Sequence, residues 1–131
     1  MVLLVIGSAL REVCTDQAAL GLRFVEEART APRYRLFALD DHYAALVETG
    51  EGGISVPGEL VEIDDERWPE LLATEPDGIN PGPVELEDGR VVTAALGDAD
   101  FLGAHGVEIT THGGFAAYLR AAGKLPSGPA V

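Results

Sequence analysis

What the chain has little of narrows the reading first. A single cysteine, Cys14, stands among 131 residues. It can close no internal disulfide and has no metal pattern around it, which points to a reducing compartment. Basic side chains are scarce, with 9 Lys and Arg against 22 Asp and Glu and a net charge of −13. A surface so acidic repels phosphate backbones and anionic membranes, so neither nucleic acid nor a membrane is expected as a partner. The apolar opening run, residues 2–6, is too short to span a bilayer and lacks the basic flank of a signal peptide, so a cytoplasmic protein is expected. His42, His105 and His112 stand apart from one another and from Cys14, without ligand spacing, and no metal is expected. No P-loop lysine, G-x-G-x-x-G or G-x-S-x-G motif occurs. That leaves neither a nucleotide cofactor nor a hydrolase elbow in view, and no cofactor is expected.

What is present suffices for a core, since 47% of the residues are hydrophobic, and the length suits one domain. That domain is expected over residues 1–123, with 124–131 ("KLPSGPAV") as a loose tail. Residues 2–6 read as a buried strand, because five consecutive apolar residues leave no solvent face. Thr15 or Asp16 can cap a helix whose apolar positions Leu20, Phe24, Val25 and Ala28 recur at helical spacing, ending before Pro32. "RYRLFAL", "YAALVE" and "ISVPGELVEI" read as strands, with Pro57-Gly58 marking an edge or a bulge. "DDERWPELLA" reads as a short helix that buries Trp68, Leu71 and Leu72. "VELEDGRVVTAAL" reads as a hairpin, with Asp88-Gly89 suited to a type I′ turn. "GGFAAYLRAAG" reads as an amphipathic helix, with Phe115, Tyr118 and Leu119 inward and Gly123 just past its end. About six strands and three helices, with hairpins dominating, make the class α+β: a mixed or antiparallel sheet, curled or closed into a small barrel.

Two places invite chemistry. At Gly7-Ser8-Ala9 the first strand ends in residues with almost no side chain. A tight turn accounts for that, and so does a ligand that must approach exposed backbone N–H groups. Glu75, in "LLATEPDGINPG", follows the second helix on a Gly- and Pro-rich loop. It suits a general base folded over a cavity and equally a solvated loop residue, while turn chemistry explains its neighbours Asp77 and Asn80.

Three blocks carry a family likeness: "LRFVEEARTAPRYRLFAL" (22–39), "PGPVELEDGRVV" (81–92) and "ITTHGGFAAYLR" (109–120). With them the chain, over residues 2–120, resembles the C-terminal domain of allophanate hydrolase, which is similar in fold to the gamma-glutamylcyclotransferases. The amidase domain that precedes this region in allophanate hydrolase is not in the chain, so a stand-alone copy is expected. The resemblance implies a backbone anion site for a small carboxylate at Gly7, Ser8, Ala9 and Leu10, and an acid/base role for Glu75. It also marks departures. Ala9 stands where allophanate hydrolases carry a histidine implicated in decarboxylating N-carboxycarbamate, and alanine moves no proton. Ile6 replaces the aromatic of the cyclotransferase loop. His112 replaces an apolar residue and is read as a surface substitution.

Two functions follow from the resemblance. One is a pocket protein for a small carboxylate, carbamate or gamma-glutamyl-type ligand, using Glu75 in cyclotransferase-like or urea-pathway chemistry. The other is a non-catalytic accessory module of nitrogen metabolism that supports an amidase-type partner or self-associates. Because no His, Cys or carboxylate group has ligand spacing, melting curves with and without EDTA should superimpose; a drop of several degrees with chelator would reveal a structural metal.

Overall fold

The computed structural model describes residues 1–14 and 16–124, so the possible cap Thr15 and, apart from Lys124, the expected tail at 124–131 lie outside the described residues. In chain order the elements are β1 (Val2–Val5), β2 (Leu22–Arg29), β3 (Tyr34–Leu39), β4 (Tyr43–Glu48), β5 (Pro57–Ile63), α1 (Trp68–Leu72), β6 (Ile79–Glu85), β7 (Val91–Gly97), α2 (Ala99–His105), β8 (Val107–Glu108) and α3 (Phe115–Ala121). The strands form one mixed sheet ordered β2-β5-β1-β7-β4-β3-β8, with β6 also on β7. An isolated bridge from Thr30 to Leu86 joins the ends of β2 and β6. The sheet curls but does not close into a barrel. Among the described residues no helix is long and apolar enough to cross a membrane.

The apolar opening run is interior, antiparallel to β5 and parallel to β7, as five consecutive apolar residues require. The pairing of β7 is what shapes the molecule. β6 covers one edge of β7 along its whole length, from Ile79↔Gly97 to Glu85↔Val91. β1 and β4 therefore share the other edge: β1 meets it at Leu3↔Thr93 and β4 takes over at Leu46↔Leu96. At the handover a Cβ on Gly7 would lie 2.9 Å from the Ala44 Cβ, so only glycine lets β1 end there.

The alternation along the strands sorts the core by face. Leu4, Ile6, Leu36, Leu46, Leu60 and Ala94 point to one side and pack under Phe115 and Leu119 of α3. On the other side lie two separate patches. Leu3, Val61 and Ile63 pack with Trp68 and Leu71 of α1, while Phe37, Ala45 and Ile79 pack with Leu102 of α2. Tyr34 is buried, and its hydroxyl accepts the Glu85 N–H at 3.0 Å.

Several local expectations change. The helix over Leu20–Ala28 is not formed. Asp16 does cap, accepting the Ala19 N–H at 3.2 Å, but only a 3-10 turn, Gln17–Leu20, which Gly21 ends at φ +78°. The strand β2 follows, with an irregularity between Phe24 and Glu26. The extra residue, Val25, switches the faces, so Leu22 and Phe24 share one face and Glu26 and Ala28 the other. That switch mimics a helical spacing. Pro57-Gly58 marks neither an edge nor a bulge: β5 is interior, and Pro57 opens it opposite Arg29. At Asp88-Gly89 the hairpin forms without a type I′ turn, because Gly89 has φ +89° and Asp88 does not have positive φ. The Gly89 N–H reaches the Leu86 carbonyl at 3.0 Å, the wider turn with a glycine bulge. Both central residues have positive φ instead at Asp40-Asp41, between β3 and β4, at 54° and 53°. There the His42 N–H donates to the Leu39 carbonyl at 3.2 Å. Among the described residues eight strands replace the expected six or so, and α2 was not anticipated. Its signals are an Asp98 cap, accepting the Asp100 and Phe101 N–H groups, and Gly106 after it. The last helix ends as read. Gly123 has φ +74°, the Lys124 N–H reaches the Leu119 carbonyl at 2.8 Å, and the Gly123 N–H reaches Arg120 at 3.0 Å.

Gly58 lets β5 pass β1, since a Cβ there would lie 2.6 Å from the Val5 carbonyl oxygen and 2.8 Å from the Leu4 side chain. Backbone cannot yield as a flexible side chain can. Gly58→Ala should therefore lower stability by about 1–3 kcal/mol in urea melts, the usual range for overpacking; an unchanged midpoint would contradict this packing.

Candidate functional site

The two patches on the outer face leave a gap between them, beside α1. It forms a cleft of about 620 Å³. Its floor is sheet: Leu3 and Val5 of β1, and Thr93 and Ala95 of β7, which share one face by register. Trp68, Leu71 and Leu72 of α1 form one wall, and His42 and Tyr43, at the start of β4, stand opposite. Gly7, Ser8 and Ala9 border the cleft where β1 hands its place to β4, and Glu75 borders it from the loop after α1.

The loop after β1 is held rigidly. Its turn closes through the Leu10 N–H to the Gly7 carbonyl at 3.0 Å, and Val13 and Cys14 donate to the Leu10 carbonyl. From below, Glu59 of β5 fastens it. This carboxylate, on a residue only 6% exposed, accepts the Arg11 N–H at 3.0 Å, the Arg11 Nε at 2.6 Å and the Gln17 amide at 3.0 Å. The same Gln17 amide donates to the Ala9 carbonyl at 2.7 Å, and the Arg11 guanidinium lies 3.5 Å above the Phe24 ring. Three donors compensate the cost of burying the charge, as a buried carboxylate requires. The Leu10 N–H is thus committed to the turn. Among the described residues, the Ser8 and Ala9 N–H groups make no hydrogen bond to the protein.

Of the residues singled out in the sequence, Gly7, Ser8, Ala9 and Glu75 border one cleft, although Glu75 is far away in the chain. Leu10 instead lines a second cleft of about 630 Å³ beside Glu59, His112 and Arg120. His112 is exposed at its rim and meets Tyr118 edge-on at 5.3 Å. Glu75 is exposed at the rim of the first cleft, yet the surrounding walls desolvate its carboxyl and raise its pKa above the ordinary glutamate value. Sequence reasoning missed His42 and Tyr43, which only the Asp40-Asp41 turn brings to the cleft. It missed Glu59 as well, although a signal existed: a lone carboxylate at the inward period of an interior strand, two residues before Val61. Among the described residues no group of three or more His, Cys, Asp or Glu side chains could hold a metal.

The family model described as the allophanate hydrolase C-terminal domain matches residues 1–120. The chain belongs to that family. Among solved structures, a uropathogenic Escherichia coli-specific protein is 28% identical with a TM-score of 0.79; the match covers 95% of this chain and 97% of that one. Kluyveromyces lactis allophanate hydrolase is 23% identical with a TM-score of 0.80, over 92% of this chain but only 21% of the enzyme. A mouse AIG2-like protein is 21% identical with a TM-score of 0.54, over 75% of this chain and 76% of that protein. No curated protein matches. The last two likenesses speak for the fold alone, an α+β curled sheet of the gamma-glutamylcyclotransferase-like kind. The family member described here carries Ala9 on its first loop, and its loop is shaped by Glu59.

Truncating Glu59 leaves the Arg11 and Gln17 donors without their acceptor. Glu59→Ala should cost about 1–3 kcal/mol, the range for an unsatisfied buried partner, and should speed hydrogen exchange across residues 8–13. Unchanged exchange there would show that the loop holds itself.

Proposed function

We propose that the cleft binds a small molecule through a carbonyl or carboxylate oxygen, with Glu75 moving a proton beside it. The supporting observation is that Glu75 and the Gly7-Ser8-Ala9 turn, far apart in sequence, border the same cleft. The N–H groups of Ser8 and Ala9, uncommitted within the described chain, suit an oxygen that carries or develops negative charge. Desolvation moves the Glu75 carboxyl upward, toward the range in which a carboxylate serves as a general base near neutral pH. On a gamma-glutamyl-type amide, the chemistry closes as follows. The substrate amine attacks the side-chain carbonyl, a C–N bond forms, and Glu75 takes the amine proton. Glu75 then returns that proton to the leaving nitrogen as the original C–N bond breaks, giving a five-membered lactam and a free amine. The compartment proposed is the cytoplasm.

Ala9 favours a second reading. With no proton-moving group at the place of the family histidine, decarboxylation of a carbamate is not supported. A member that lost it fits an accessory module for an amidase-type partner in nitrogen metabolism.

Glu75→Gln separates the two. If Glu75 is the base, the variant should lose about 10²–10⁴ in turnover on a gamma-glutamyl amide. The sign of its stability effect follows from the raised pKa: Glu75 favours the fold most when protonated, and that contribution is lost as pH rises through its folded pKa. At pH 7 the variant should therefore be as stable as the parent or slightly more so, within about 0.5 kcal/mol given its exposure. No turnover by the parent protein on any such amide would leave the accessory reading standing.

A further inference from the structure

The lining of the first cleft says more about its ligand than the two polar corners do. Its volume, about 620 Å³, is that of sites that enclose drug-sized molecules, roughly 300–1,000 Å³, and far exceeds what a carbamate would fill. Its floor and helical wall are apolar, with Leu3, Val5, Trp68 and Leu71 among them. Its charge is one-sided. Among the described residues the lining contains no Lys or Arg, and Glu75 is its one carboxylate. The nearest cations of the loop and helix are already engaged, Arg11 with Glu59 and Arg67 with Glu70 and the Ala19 carbonyl. A free anion entering this cleft finds the Ser8 and Ala9 N–H groups but also a carboxylate, no counter-cation and a chain of net charge −13.

We propose that the cleft selects an apolar amine: an alkyl or arylalkyl body on the Leu3-Val5-Trp68-Leu71 surface, with its nitrogen at Glu75. This rests on the reading of the cleft as the ligand site and adds the class of the group that lies deepest in it, the amine half of the amide. Burial of a side-chain-sized apolar body supplies the affinity. Glu75 supplies the sign, and the half-buried rings of Trp68 and Tyr43 accept a cation on their faces as well as an apolar group.

Three probes decide it: phenethylamine, 3-phenylpropionate and ethylamine, titrated into the full chain at pH 8, above the ordinary imidazole range, and followed by amide NMR shifts. Phenethylamine should shift the amides of Val5, Leu71, Thr93 and Glu75 and bind at least about tenfold more tightly than either other probe: than 3-phenylpropionate because of its charge at contact near a surface, and than ethylamine because of the apolar body it buries. In Glu75→Gln, whose fold is checked by circular dichroism, the preference for amine over carboxylate should collapse. Equal or tighter binding of 3-phenylpropionate would overturn the proposal while leaving the cleft a ligand site. A preference that survives in Glu75→Gln would overturn it too, by removing the carboxylate from its origin. Cleft amides that move with none of the three probes would overturn this proposal and the ligand-site reading together.

Discussion

A strand has two edges, and β7 has three partners. Everything that distinguishes this molecule from a plain sheet stems from that constraint. Because β6 occupies one edge without interruption, β1 and β4 must divide the other. The handover forces β1 to end in a residue without a side chain. It also separates the helices on the outer face into two patches, each over its own part of the sheet. The cleft is the space left between them. It needs no special loop to create it, only the geometry of a shared edge.

The fixed position of the bordering loop has a different origin. Loops usually move more than the strands they join, and this one would have little reason to stay in place without Glu59. A carboxylate on an interior strand is expensive to bury, and its compensation comes from Arg11 and Gln17, both on the loop. The charge therefore orders the loop in order to be solvated by it. Ala9, Gly7 and Ser8 inherit their positions from that arrangement, with no contribution from their own side chains.

Much of this was legible in the sequence, and the failures have physical causes. The buried first strand, the β3 and β4 strands, the β6–β7 hairpin and the α3 terminus at Gly123 could be read because each depends on local chemistry: an unbroken apolar run, strand-forming residues, turn residues, a left-handed glycine. The α+β class and the family likeness followed. The helix read over residues 16–31 failed because a single extra residue, Val25, shifts the faces of β2 and turns a period of two into something like a period of four. The type I′ turn was sought at Asp88-Gly89 and found at Asp40-Asp41, since cross-strand register decides which turn type a hairpin needs. The candidate site was half visible. Gly7, Ser8, Ala9 and Glu75 could be named from pattern and resemblance, whereas His42, Tyr43 and Glu59 enter through long-range pairing that no local window contains.

The Asp40-Asp41 turn has one further effect. Two side-chain-bearing residues in left-handed conformation cost on the order of 1 kcal/mol each, and the turn does not stand unsupported. Asp41 pairs with Lys124 and accepts the Tyr118 hydroxyl at 2.6 Å, and these bonds, that of Lys124 foremost, hold its carboxyl below the usual aspartate range. Tyr118 belongs to α3, which packs on the far face of the sheet, whereas His42 and Tyr43, the next residues after the turn, stand on the cleft. The tie acts as a strut that runs around the end of the sheet. Among the described residues the only hydrogen-bonded ties between that turn and α3's end are these two bonds to Asp41, so a displacement of α3 against its core would pull on a residue that stands two positions from Tyr43 on the cleft.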